Sequence, residues 1–183
     1  MSRAGASWFT IVPAAVALVA PAEASATLYL TVAQAQQALF PGARFSNHDL
    51  PLSAEQRRAI AKAARAPGYD KTQQVWAVRS GDRHIGWFMV DRVIGKHEFI
   101  TYAVGLSPEG IVRGIEILDY RETYGGEIRN PKWRAQFVGK RFGSQLKLDS
   151  DIRNISGATL SSRHVTDGVR RLLVTYQMFL RNG

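Results

Sequence analysis

The 183-residue sequence contains no cysteine. This excludes disulfides, thiolate catalysis and any zinc or iron–sulfur site built on sulfur, and it leaves stability to packing alone. Histidine is scarce and scattered: His48, His84 and His97 form no H-x-x-x-H pair, so nothing points to a metal centre. There are no internal repeats and no low-complexity tracts beyond an Ala-rich start. The one long apolar run, Trp8 to Ala20, is broken by Thr10 and Pro13 and is too short to span a bilayer comfortably. No G-x-S-x-G elbow surrounds Ser156, which argues against a hydrolase built on Ser156 and His164.

What is present begins with a targeting pattern. Arg3 supplies a positive charge, the apolar run follows, and Ala24-Ser25-Ala26 satisfies the small-x-small rule for signal peptidase. Residues 1–26 are therefore expected to be a cleavable signal peptide, with export to a periplasm or an equivalent compartment. Lys and Arg total 24 against 15 Asp and Glu, a net charge of +9. Cleavage removes Arg3 and Glu23, so the excess is kept. In an exported protein such a charge suits an acidic partner, an anionic ligand or an anionic membrane surface. A hydrophobic content of 45% fits one folded domain with a sizeable core.

Along the chain, Thr31 to Phe40 reads as a short helix stopped by Pro41-Gly42. Ser53-x-x-Gln56 is a capping box that opens the helical run AEQRRAIAKAARA, stopped by Pro67-Gly68. Within it Arg57, Arg58, Lys62 and Arg65 read as a solvated face. Gln74–Arg79, His84–Val93, Glu98–Leu106 and Ile111–Tyr120 are β-rich with partial alternation, and short turns separate them. The turn pair His97-Glu98 reads as solvated. Asn130-Pro131 is a helix start, with Trp133 and Phe137 on one core-facing side. Val165, Val169, Leu172, Leu173, Tyr176 and Leu180 have helical spacing; Ser161 or Ser162 is expected to cap that helix, with Asp167 in its early turns. The fold class is α+β: a twisted antiparallel sheet of about four or more strands with packed helices.

The stretch 155-ISGATLSSRHV-165 places small residues and hydroxyls just before the last helix. Free N–H groups and the helix dipole make such a terminus a candidate anion site, and Gly157 and Ala158 allow a close backbone approach. From the residues alone, a plain capped helix stays open beside that reading. Ser156-Gly157-Ala158-Thr159, together with 122-ETYGGE-127 after a strand and 137-FVGK-140 after Trp133, resembles the FMN-binding domain family. That family includes the covalent-flavin subunits of sodium-translocating NADH:quinone reductase and of Rnf complexes. The resemblance implies FMN joined through its phosphate to Thr159 by a separate FAD:protein FMN transferase that uses FAD and Mg²⁺. It implies that Ser156, Gly157, Ala158, Ser161 and Ser162 surround the attachment point. It also implies that Glu122, Thr123, Tyr124, Gly125 and Gly126 border the flavin ring. Arg153 stands where the family motif has Asp, and Tyr124 and Gly126 stand where proline and leucine are usual.

Residues 27–183 are then expected to be an FMN-binding domain with an N-terminal helical extension. The expected role is an exported electron carrier, more an electron-transfer protein than a stand-alone enzyme. Its redox partner is unnamed, and nucleic acid is not expected. Arg121, Arg129 and Arg163 are expected to supply positive charge near the flavin. The alternatives are a non-redox binding or assembly module of the same fold and a noncovalent FMN binder. N-terminal sequencing of the exported protein is expected to begin at Thr27; a chain that still begins at Met1 would show an uncleaved anchor.

Overall fold

In the computed structural model the described residues are 29–68, 70–122 and 126–182. The expected signal peptide lies outside them. Helix α1 is Val32–Leu39, and Thr31 and Gln34 close a capping box at its start. Helix α2 is Ala54–Ala64, where Ser53 and Gln56 do the same, and Arg65 ends it in the left-handed conformation. Helix α3, Pro131–Arg134, starts as expected: the Asn130 side chain accepts from the Lys132 N–H, and Pro131 occupies the first turn. The long helix α4 spans Thr159–Phe179. Among the described residues, no helix is long and apolar enough to cross a membrane.

The strands are β1 (Arg44–Asn47), β2 (Leu50–Pro51), β3 (Thr72–Ser80), β4 (Arg83–Ile94), β5 (Phe99–Leu106) and β6 (Val112–Tyr120). They form one six-stranded sheet in the order β1-β3-β4-β5-β6, with β2 also pairing β3. All named pairings are antiparallel. The meander expected from the sequence is β3 to β6. The short edge strands β1 and β2 were not expected.

Both faces of this sheet are covered, which explains why its alternation is only partial. On one face Met89, Val93, Tyr102, Val104 and Ile115 pack with Val165, Val169, Leu172 and Tyr176 of α4. On the other, Phe88, Val90, Ala103 and Leu118 pack with Ala35 and Phe40 of the α1 segment. Leu39 and Phe40 sit over Gly105 and Gly114, which are paired across β5 and β6. A Cβ on Gly105 would come within 2.9 Å of the Phe40 ring, and one on Gly114 within 2.7 Å of the Leu39 side chain. A third cluster joins Ile60 and Ala64 of α2 to Val174, so α4 lies between the sheet and α2.

The position of α4 is set by a buried polar lock. The Arg171 guanidinium donates to Asp91 Oδ2 at 2.6 Å, to the Arg92 carbonyl at 3.0 Å and to the Pro67 carbonyl. Tyr102 donates its hydroxyl to the same Asp91 oxygen at 2.8 Å. Gly168 makes room for it, because a Cβ there would strike the Tyr102 hydroxyl. Burial and the neighbouring Asp91 charge push the Tyr102 phenol well above its ordinary pKa, so it remains a donor at any physiological pH. Such a pair contributes little over an apolar core when complete, but breaking it strands a charge.

One expectation for α4 is corrected. Ala158, not Ser161 or Ser162, is its N-cap residue, and no side chain caps it. The helix begins three residues earlier than a Ser161 cap would require, after Gly157 turns the chain at φ +80°. Ser161 and Ser162 are therefore buried in the first turns, and Asp167 falls in the third turn, paired with Arg170 at 2.6 Å.

Replacing Arg171 by Met is expected to cost about 3–5 kcal/mol in chemical denaturation, because Asp91 is left buried and unpaired. The same change at Arg44, whose ion pair with Asp82 is exposed, is expected to cost under about 0.5 kcal/mol.

Candidate functional site

The N-terminus of α4 opens into a cleft of about 430 Å³. Three segments meet there: Lys96 and His97 from the β4–β5 turn, Glu122 just after β6, and Gly157 to Ser161. The sheet makes this possible, because the β4–β5 turn and the end of β6 lie at the same end of adjacent strands. The Arg171 lock then holds the start of α4 against that end.

The start of α4 is unlike those of the other helices. Side chains cap α1, α2 and α3, whereas none caps α4. The N–H groups of Thr159, Leu160 and Ser161 precede the first internal helix bond, which Ser162 makes to the Ala158 carbonyl at 2.9 Å. They present donors and partial positive charge to the cleft. Thr159 is exposed, and its Oγ1 accepts from Asn154 Nδ2 at 3.1 Å. The Asn154 amide is itself held, its Oδ1 accepting from the Ile155 N–H at 2.8 Å. The chain just before it is anchored too: Trp133 Nε1 donates to the Arg153 carbonyl, and the Arg153 N–H donates to Gln136 Oε1, each at 2.8 Å. Leu160, 41% exposed, gives the cleft an apolar side.

Glu122 faces the cleft but has a structural task. Its Oε1 accepts from the backbone N–H of His97 at 2.6 Å and of Glu98 at 3.0 Å, which ties the β4–β5 turn to the end of β6. Gly95 permits the approach; a Cβ there would come within 2.5 Å of that oxygen. Partial burial pushes the Glu122 carboxyl up, but the amides of Glu98, His97 and Lys96 outweigh it and hold the group below the usual carboxylate range. On the far side of the turn, His164 Nδ1 donates to the Ile94 carbonyl at 2.6 Å, fixing α4 to β4.

Of the residues named from the sequence, Glu122, Gly157, Ala158, Thr159 and Ser161 line this one cleft. Ser156 is exposed beside it. Ser162 is fully buried beneath it, its hydroxyl without a hydrogen-bond partner among the described residues. Ser161 is also buried, with its Oγ 3.3 Å from the Tyr120 hydroxyl. Gly126 begins a short 3₁₀ turn. Thr123, Tyr124 and Gly125 lie outside the described residues. Arg121 is occupied by Asp119 at 2.8 Å, and Arg129 lies over the Tyr29 ring at 4.0 Å. Trp133 and Phe137 belong to the core, edge to face at 5.1 Å. Sequence reading missed Lys96, Leu160 and Asn154. Only the long-range pairing of β4 with β6, through β5, could have drawn attention to the first.

Comparison with known proteins covers the segments that form this cleft. The profile of the FMN-binding domain family matches residues 95–174, a segment that contains every residue lining it. One component of the Na⁺-translocating ferredoxin:NAD⁺ oxidoreductase complex of Acetobacterium woodii is 31% identical over 87 residues, covering 43% of this chain and 42% of that protein. One component of the Na⁺-translocating NADH-quinone reductase of Vibrio anguillarum is 32% identical over 134 residues, covering 63% of this chain and 50% of that protein. The chain thus spans half or less of the length of these curated relatives. The crystal structure of Shewanella oneidensis NqrC has the same fold, with a TM-score of 0.57 at 16% identity over 80% of this chain and 86% of that one.

The Glu122 clamp has a pH signature. Its folded-state pKa is lowered, so its stabilisation is fully present above the ordinary glutamate value of about 4.3 and is lost as pH falls through the lowered value. Glu122→Gln is expected to lower stability by about 1 kcal/mol at neutral pH, and the difference from wild type should vanish in acid. Thermal melts across that range check it.

Proposed function

We propose that this protein, whose residues 95–174 match the FMN-binding domain family, is an exported electron carrier whose FMN is esterified through its phosphate to the Thr159 hydroxyl. The observation that carries this reading is the convergence of three segments distant in sequence. Thr159 stands exposed at an uncapped helix terminus, in the same cleft that receives Glu122 and the β4–β5 turn. The residues present fit the group. Donors without helix partners and Lys96 suit a phosphate, and Leu160 with Gly157 and Ala158 offers an apolar, closely approachable wall.

FMN, when bound, supplies reversible one- and two-electron chemistry that hydrogen bonds and nearby charges tune. The chain's own parts have simpler tasks. Thr159 would provide the oxygen of the ester: its O–P bond would form as the pyrophosphate bond of FAD breaks, AMP being the leaving group and the hydroxyl proton being released. Asn154 holds that oxygen in place before attachment. The N–H groups of α4 and Lys96 offset the negative charge of the phosphate. Glu122 keeps the β4–β5 turn over the cleft without spending its charge there. The ester would keep the cofactor from being lost after export. An FAD:protein FMN transferase is the maturation partner this reading requires. Arg153, exposed and standing where the family motif has Asp, favours a noncovalent complex in the same cleft as the second reading.

Co-expression with an exported FAD:protein FMN transferase is expected to raise the intact mass by FMN minus water, mapped by fragmentation to Thr159. Thr159→Ala should remove that gain with the fold unchanged by circular dichroism. An unmodified wild-type mass, in a host that flavinylates a known target, would leave the noncovalent reading. Flavin that resists denaturation in Thr159→Ala would refute the site.

A further inference from the structure

A second depression, of about 790 Å³, lies beside the cleft, between the end of α2, the 143–149 loop and the second to fourth turns of α4. Arg65, Lys147, Arg163 and Arg170 line it against Asp149 and Asp167. Arg170 is structural. It donates to the Ala64 carbonyl at 2.6 Å and to the Leu146 carbonyl at 2.8 Å, and it pairs with Asp167. The other three cations differ from it. Arg65, Lys147 and Arg163 are exposed, and among the described residues none of their side chains has a hydrogen-bond or ion-pair partner. Arg58 and Lys62 continue the row from Arg65 back along α2 at helical spacing, exposed and equally unpaired among the described residues. The row also sorts the basic run of the sequence. Arg57 is half-buried, with its guanidinium on the Leu52 carbonyl at 2.7 Å, and takes no part in the row.

We propose that this cationic groove is the docking surface for an acidic electron-transfer protein. The proposal rests on reading Thr159 as the flavin attachment point. Arg163 stands one helical turn beyond Thr159, so a partner seated in the groove would lie about one turn of α4, ~6 Å, from the start of the cleft. Charge complementarity selects the occupant. Along the groove and its row the unpaired charges are Arg58, Lys62, Arg65, Lys147 and Arg163 against the single exposed carboxylate of Asp149, a net positive arrangement that steers encounter with a negatively charged surface and releases it readily as salt rises. An anionic membrane is the competing occupant. The groove argues against it, because its cations ring a concave depression rather than a flat face.

The test uses the full mature chain, with and without flavin. Binding of a fluorescent octaglutamate peptide is followed by anisotropy. The triple variant Arg65→Gln/Lys147→Gln/Arg163→Gln is expected to bind at least about fivefold more weakly, and wild-type binding should weaken similarly between about 20 and about 200 mM salt. Because these side chains hold no partners, the variant should melt like wild type. Thr159→Ala should bind the peptide as wild type does, which separates the groove from the flavin assignment. With flavin-loaded, dithionite-reduced protein, two equivalents of ferricyanide take up the two electrons. The triple variant should react more slowly with ferricyanide and faster with hexaammineruthenium(III). Undiminished peptide binding by the variant would overturn the proposal. So would equal slowing with both oxidants, or binding to phosphatidylglycerol vesicles without binding to the peptide.

Discussion

The site depends on one buried ion pair. Arg171 reaches from the middle of α4 to Asp91 on β4, and Tyr102 on β5 completes the carboxylate's shell. Hydrophobic packing alone would let a 21-residue helix slide or rotate on the sheet at modest cost. A charge pair with three fixed partners has one satisfied register. Gly168 enforces the same register sterically, since the helix can approach Tyr102 only where it has no side chain. Several turns away, that register decides where Thr159 emerges relative to the β4–β5 turn. Specificity of position, rather than net stability, is what such a pair contributes here.

Charge is divided by function around the helix. Glu122, the one acidic side chain lining the cleft among the described residues, is used up on backbone amides, so the cleft keeps the positive character of an open helix terminus. Arg121 and Arg129, which sequence order places close by, are engaged by Asp119 and by the Tyr29 ring. Arg163 is the exception, and it lines the neighbouring groove instead of the cleft. One side of the α4 start therefore presents uncapped N–H groups, and the next presents an exposed cation.

Much of the fold was legible in the sequence because its signals are local. The Ser53 capping box, Asn130-Pro131, the short turns between the meander strands and the apolar spacing of α4 each act within a few residues, and each appears in the structure. The four meander strands were legible as β-rich runs. The edge strands β1 and β2 were not: RFSN and LP are too short and too exposed to carry a period. The Arg171 lock was invisible for a different reason. Its partners are 80 residues apart in sequence, and an arginine on a helix reads as solvated until the fold buries it. The serines after Thr159 were misplaced because hydroxyls suit both a cap and a buried first turn. Only the positive φ of Gly157 separates the two. In the site, the motif residues could be named one by one. Lys96 and Asn154 could not, since a turn lysine and a loop asparagine acquire meaning only when strand pairing and the α4 start bring them beside Thr159.

The glycine trough under α1 bears on what counts as the inherited unit. The segment that carries family likeness starts at Gly95, in the turn before β5, yet the sheet face formed by Gly105, Gly114, Ala103 and Leu118 is roofed by Leu39 and Phe40 from far upstream. A fragment cut at the border of that likeness would keep the whole cleft lining and lose the roof, along with the β4 neighbour of β5. The recognisable module is thus smaller than the cooperative one. Grafting this cleft into another protein would mean moving two helices and four strands that lie outside the matched segment.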